Sequence, residues 1–310
     1  MIKNTKLLKI LTLFVTVLFL GTIVSGCGGR QADQNDQATG IELGKEKIEL
    51  ARANWDDQIA STFVVENVLE KMGYNVEQKV VDAGIMWQSV SSGSVDGMVG
   101  AWLPLTHETY YEKTKDKLVD LGINLQPTKC GWVVPAYVDI DSITDMNDPA
   151  VREKFDGKIY GIEPGAGIMR TSEQAIQEYG LEGYELLDSS GTAMVASLKR
   201  AIDNNEWIVI TGWTPHWKFA RWDLKYIEDP KYIIQGEETQ YIGTMVKKGL
   251  KDEAPAAYEM LDNFEWEPKH MESVMLDINV NEMEPAAAAE EFVKNNKELV
   301  NTWLPQGYSL

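Results

Sequence analysis

Residues 207–217 read Trp207-Ile208-Val209-Ile210-Thr211-Gly212-Trp213-Thr214-Pro215-His216-Trp217. A continuous apolar run such as Trp207–Thr211 is the signature of a strand covered on both faces, as in a parallel sheet packed between helices. Gly212 gives the backbone room, and Pro215 cannot donate to a ladder. The strand is therefore expected to end at the rim of the sheet, with Trp213 at that rim.

The neighbouring sequence alternates accordingly. Lys158–Ile162 reads as a strand, Gly165-Ala166-Gly167 opens a helix to about Tyr179, Tyr184–Asp188 is a strand, and Ser189-Ser190-Gly191 opens a helix to about Ile202. Upstream, Lys47–Asn54 is a strand, and the row Ala60, Val64, Val68 and Met72 at i,i+4 spacing predicts a helix closed by Gly73. Tyr74–Val81, a short helix near Ile85–Val90 and a strand near Val95–Ala101 continue the series. Gly131–Val138 reads as a strand joining the two blocks, and the last third is helical. Strand–helix alternation predicts an α/β fold. The expected architecture is two lobes with a ligand cleft between them: 46–133 and 236–310 form lobe I, and 134–235 form lobe II.

Composition narrows the function. In 310 residues, 48 acids oppose 29 bases, a net charge of −19 that argues against nucleic acid as a partner. Two cysteines form no disulfide framework, and three scattered histidines argue against a multi-histidine metal site. No cofactor motif is present: neither G-x-G-x-x-G nor a Walker sequence occurs, and G-x-S-x-G is absent too. The expectation is a binding protein without cofactor or metal rather than an enzyme.

Residues 1–27 have the anatomy of a secretory signal: Lys3, Lys6 and Lys9, the apolar run Ile10–Val24, then Val24-Ser25-Gly26-Cys27. Residues 28–45, rich in Gly, Gln, Asp and Asn, read as a flexible tether. The Val-Ser-Gly-Cys ending resembles the lipobox of bacterial lipoproteins. That resemblance implies a lipid on Cys27 and an extracytoplasmic, membrane-tethered protein. Cys130 is then a lone, buried thiol.

Tryptophan is abundant, at ten against seven Phe. Trp102 in Ala101-Trp102-Leu103-Pro104, Trp213, and Trp266 between two predicted helices all fall at element ends. Indole faces attract cations by about 0.5–2 kcal/mol each. A quaternary ammonium, which has no N–H to donate, suits them best. A zwitterion also needs an anion site, and a helix start presents free N–H groups. The Trp55-Asp56-Asp57-Gln58-Ile59 turn offers the amides of Gln58 and Ile59. His270, four residues after Trp266, is a further donor.

Four stretches then carry a resemblance: Trp55-Asp56-Asp57-Gln58-Ile59-Ala60-Ser61, Ala101-Trp102-Leu103-Pro104, Gly165-Ala166-Gly167-Ile168-Met169, and Gly212-Trp213-Thr214-Pro215-His216-Trp217. Together they resemble the OpuAC-like substrate-binding proteins of glycine betaine ABC importers, of the type II periplasmic-binding class. The resemblance implies a trimethylammonium box of Trp102, Trp213 and Trp266, a carboxylate held at Gln58 and Ile59, and assistance from His270. Choline-binding relatives of that family imply roles for Trp55, Asp57 and Trp132. Glycine betaine is the expected ligand, with carnitine, proline betaine or choline as alternatives. The expected partners are an ABC permease and its ATPase, with the membrane reached through the lipid on Cys27. A structural surface lipoprotein is the reading from another class.

Overall fold

The computed structural model describes residues 42–310. The expected signal peptide, Cys27 and most of the tether lie outside the described residues. The chain is already fixed at the end of the expected tether. Tyr74 donates its hydroxyl to the Leu43 carbonyl (2.7 Å), and the Lys45 amide donates to Glu253 (2.8 Å).

The order of elements is β1 (Lys47–Arg52), α1 (Asp56–Met72), β2 (Asn75–Val80), α2 (Ala83–Ser92), β3 (Gly97–Leu103), α3 (Glu108–Thr114) and β4 (Leu118–Pro135). There follow α4 (Pro149–Lys154), β5 (Lys158–Tyr160), α5 (Gly167–Glu178), β6 (Glu185–Leu187), α6 (Gly191–Asn204), β7 (Ile210–Thr214), α7 (Lys218–Arg221) and β8 (Leu224–Tyr226). The chain then returns through β9 (Gln240–Lys247) to α8 (Leu250–Glu253), α9 (Pro255–Asn263), α10 (Pro268–Asn279), α11 (Pro285–Asn295) and α12 (Lys297–Trp303).

The predicted α1 row is the buried face of that helix, and Gly73 ends it at φ 110°, a left-handed conformation natural to glycine. The sheet runs β2-β1-β3-β9-β4-β7-β5-β6, with β8 also on β4. Its outer parts are parallel, as the strand–helix alternation requires. Its centre is antiparallel, because β9 inserts between β3 and β4. The eighteen-residue β4 serves both halves. Leu118–Thr128 pairs with β9, and Lys129–Pro135 pairs with β7 and β8. The change of partner thus falls at Thr128–Lys129. The sequence predicts the connecting strand only at Gly131–Val138. It starts much earlier because polar residues of 118–129 mask the apolar signal, and β9 carries no helix-alternation cue at all.

Candidate functional site

A small pocket lies where the two halves of the sheet meet. Its lining is Trp55, Asp57, Trp102, Thr106, Cys130, Ile162, Ala166, Gly167, Ile168 and Trp213. Each wall follows from local structure. Trp55 caps α1 just beyond β1, Trp102 ends β3, and Trp213 faces Cys130 in the β4–β7 ladder. Helix α5 delivers Ala166, Gly167 and Ile168 from the second half.

Asp57 organises the aromatic end. Its Oδ2 accepts from Trp102 Nε1 and its Oδ1 from Trp213 Nε1, both at 3.1 Å. Burial pushes this carboxyl up to about 6, against the pull of the Trp102 hydrogen bond. Accepting an indole N–H also pushes electron density onto the ring, which favours a cation at its face. Asp56 behaves oppositely. Burial raises it, but His216, the Trp217 indole N–H (3.2 Å) and Lys218 together hold it below the usual range. His216 Nε2 lies 3.2 Å from Asp56 Oδ2 but is poorly aligned for a hydrogen bond, and burial holds its imidazole down to about 4. We therefore read His216 as neutral.

The other end of the cavity offers donors. The first turn of α5 carries no acid and no side-chain cap, and the amides of Gly167 and Ile168 have no acceptor among the described residues. Nearby, His107 Nδ1 accepts from Trp87 Nε1 (3.2 Å) and from the Trp102 amide (3.1 Å). The proton therefore sits on Nε2, which is buried without a partner, and the ring stands 5.7 Å from that of Trp55. Burial pushes His107 down to about 3, so it is neutral at physiological pH.

The halves are laced together around this cavity. Trp55 Nε1 donates to Glu163, Tyr110 to the Gly165 carbonyl (2.6 Å), and Arg170 to the Leu105 carbonyl (3.0 Å). Gly167 comes so close to the first half that a Cβ there would lie 1.8 Å from the Thr106 carbonyl oxygen.

Of the residues expected from sequence, Trp55, Asp57, Trp102 and Trp213 converge here. Trp266 does not. It is buried between Phe264 and Phe292 and borders a separate groove with His270, whose Nδ1 accepts from the Glu267 amide at 3.2 Å. The structure thus places Trp266 and His270 away from the pocket that Trp102 and Trp213 share, with Trp266 packed between two phenylalanines. Trp132 is also displaced from the site. It is wholly buried, with its Nε1 on Ser172 Oγ (2.9 Å). Gln58 spends its side chain on the Ala53 amide (2.6 Å) and the Gly100 carbonyl (3.0 Å), and the Ile59 amide is engaged by Trp55 O (2.8 Å). With Asp56 and Asp57 in its first turn, α1 repels an anion, and the anion-competent helix start is that of α5. Sequence reasoning passed over His107, Thr106, Gly167 and Ile168 as site residues. The acid-free turn at Gly165-Ala166-Gly167 was the available signal.

Among the described residues no group of acids, histidines and cysteines could hold a metal, and no helix is long and apolar enough to cross a membrane. A two-lobed binding-protein fold with an aromatic pocket where its halves meet defines the class.

Residues 46–295 match the family described as the substrate binding domain of ABC-type glycine betaine transport systems, OpuAC, and the chain belongs to that family. It is a family of binding proteins and not of enzymes. The crystal structure of lactococcal OpuAC, closed and complexed with glycine betaine, is 42% identical, with a TM-score of 0.79 over 84% of this chain and 100% of that one. The glycine/betaine/L-proline-binding protein ProX from Borrelia burgdorferi is 41% identical, with a TM-score of 0.80 over 84% and 97%. The glycine betaine/carnitine transport binding protein GbuC of Listeria monocytogenes serotype 1/2a (strain 10403S) is 42% identical over 176 residues, 56% of this chain. The match spans about half the length of that curated relative, 55%.

Proposed function

We propose that this protein captures glycine betaine outside the cytoplasm and hands it to a membrane permease driven by a separate ATPase. The trimethylammonium is enclosed by Trp55, Trp102 and Trp213, with Asp57 behind two of these indoles. The carboxylate is received by the Gly167 and Ile168 amides and by His107 Nε2–H. One observation carries this reading: acid-backed indoles and the unanswered helix start at Gly167 and Ile168 line the same small pocket. The donor end favours a zwitterion over choline, whose neutral hydroxyl can accept there but lacks the charge-assisted bonds and helix-dipole attraction of a carboxylate. Residues 46–133 with 236–310, and 134–235, act as the lobes that close on the ligand, hinged where β4 and β9 cross between them. Residues 1–27 direct export, a lipid on Cys27 anchors the chain, and 28–45 is the tether.

Calorimetry and tryptophan fluorescence with glycine betaine, carnitine, proline betaine and choline, side by side, test the assignment. Glycine betaine is expected to bind tightest, and a protein that responds to none of the four overturns it. Silence towards all four is also what a purely structural surface lipoprotein would give.

A further inference from the structure

Lys218, the first residue of α7, has no exposed surface, and its Nζ has no hydrogen-bond partner among the described residues. An ammonium is costly to bury in that state. It lies 4.3 Å from the centroid of the Trp213 ring and 5.5 Å from that of Phe219. Lys218 does not line the cavity, whereas Trp213 does. Trp213 thus touches both the cavity and the Lys218 ammonium, which acts on the cavity across the indole. The charged or titratable groups acting on Lys218 are Asp56 and Asp57 from α1, Cys130 from β4 and His216 from the turn before α7. The cysteine thiol is pushed up to about 12 by burial, and the imidazole is held down to about 4 by burial. Two carboxylates and one ammonium thus set the field at this end of the pocket.

We infer that Lys218 selects the charge class of the ligand, admitting zwitterions and penalising net cations. This rests on the ligand reading above. An ammonium behind Trp213 repels a quaternary nitrogen placed against the same ring. For a zwitterion, the attached carboxylate feels the opposite force, and the two contributions partly cancel. For choline nothing cancels. Without Lys218 the two aspartates face the indoles alone, a wall suited to a permanent cation.

Burial holds the ammonium down to about 7, so its charge is lost within an accessible range. The test is calorimetry on the full chain in detergent with glycine betaine and with choline, for the wild type, Lys218→Met and Lys218→Gln. Measurements at about pH 6.5 and about pH 8.5 bracket the ammonium and stay above the Asp57 carboxyl. In the wild type, the preference for glycine betaine over choline is expected to fall about threefold or more between these values. In both variants it is expected to fall about tenfold below the wild type at the lower pH, and to vary little with pH. Equal changes for both ligands, or none, overturn the inference. If the variants fail to fold, the wild-type pH series decides, and a flat preference overturns it. A wild type that binds neither ligand overturns the ligand reading instead, and this inference with it.

Discussion

Trp102 and Trp213 stand on different halves of the sheet, yet their indole N–H groups meet on the two oxygens of one carboxylate, Asp57, each at 3.1 Å. One side chain thereby sets the position of two walls of the pocket. Asp57→Asn places an amide N–H against an indole N–H, which cannot bond. Glycine betaine affinity is expected to drop about tenfold or more, roughly 1.4 kcal/mol, by calorimetry. Unchanged affinity would remove Asp57 from the pocket's architecture.

The same carboxyl makes stability depend on pH. Burial raises Asp57 to about 6 in the folded protein, above its ordinary 3.8. Folding thus favours the protonated form, and its contribution is fully present below the unfolded pKa and lost as pH rises through 6. Relative to the wild type, Asp57→Asn is expected to gain about 2 kcal/mol of stability between about pH 4 and about pH 7. Parallel denaturant titrations at the two pH values would measure it, and a constant difference would refute the shift.

The tryptophans divide into two groups. Alanine at Trp55, Trp102 or Trp213 should each weaken glycine betaine binding about tenfold or more by loss of an indole face. Trp266→Phe should leave the ligand titration unchanged while lowering the melting temperature, because Trp266 packs among Phe264 and Phe292. Weakened binding in Trp266→Phe would restore it to the site.

Gly167 and Gly191 each begin a helix, but only one is crowded. A Cβ on Gly167 would overlap the Thr106 carbonyl across the cleft, whereas nothing lies within 4 Å of one on Gly191. Gly167→Ala should cut affinity about a hundredfold with little change in folding, since the halves can no longer meet. Gly191→Ala should bind normally and be stabilised by up to about 1 kcal/mol. Calorimetry paired with thermal melts separates the two, and a normal titration for Gly167→Ala would refute the close approach.

Much of this was legible in the sequence, for reasons particular residues make plain. The α1 row and the Trp207–Thr211 run announced themselves through periodicity, because burial on one stripe or on two faces leaves a fixed spacing. Trp102 and Trp213 were legible because glycine or proline marks the strand ends beside them. The unanswered helix start of α5 was not. Its donors are backbone amides, and the difference between α1 and α5 lies in which helix start is already answered by acids. His107 was hidden for a different reason. It sits five residues after Trp102, and only the turn following β3 folds it back onto the Trp102 amide. Trp266 could not be placed from the sequence because an indole between helices looks the same on paper whether it faces a pocket or a phenylalanine.

Membrane attachment has its own test. Cys27→Ala should shift the protein from the membrane pellet to the soluble fraction, without altering glycine betaine affinity. Persistent pelleting would argue against a lipid at that position.

The continuous β4 has a consequence for anyone who would transplant this pocket. Neither half of the sheet is a cassette: the chain leaves the first half along β4, completes the second, and comes home along β9. Any chimera that exchanges one half with a relative must splice inside a strand whose hydrogen bonds belong to both. Specificity in this scaffold is therefore more readily rebuilt residue by residue than traded in blocks.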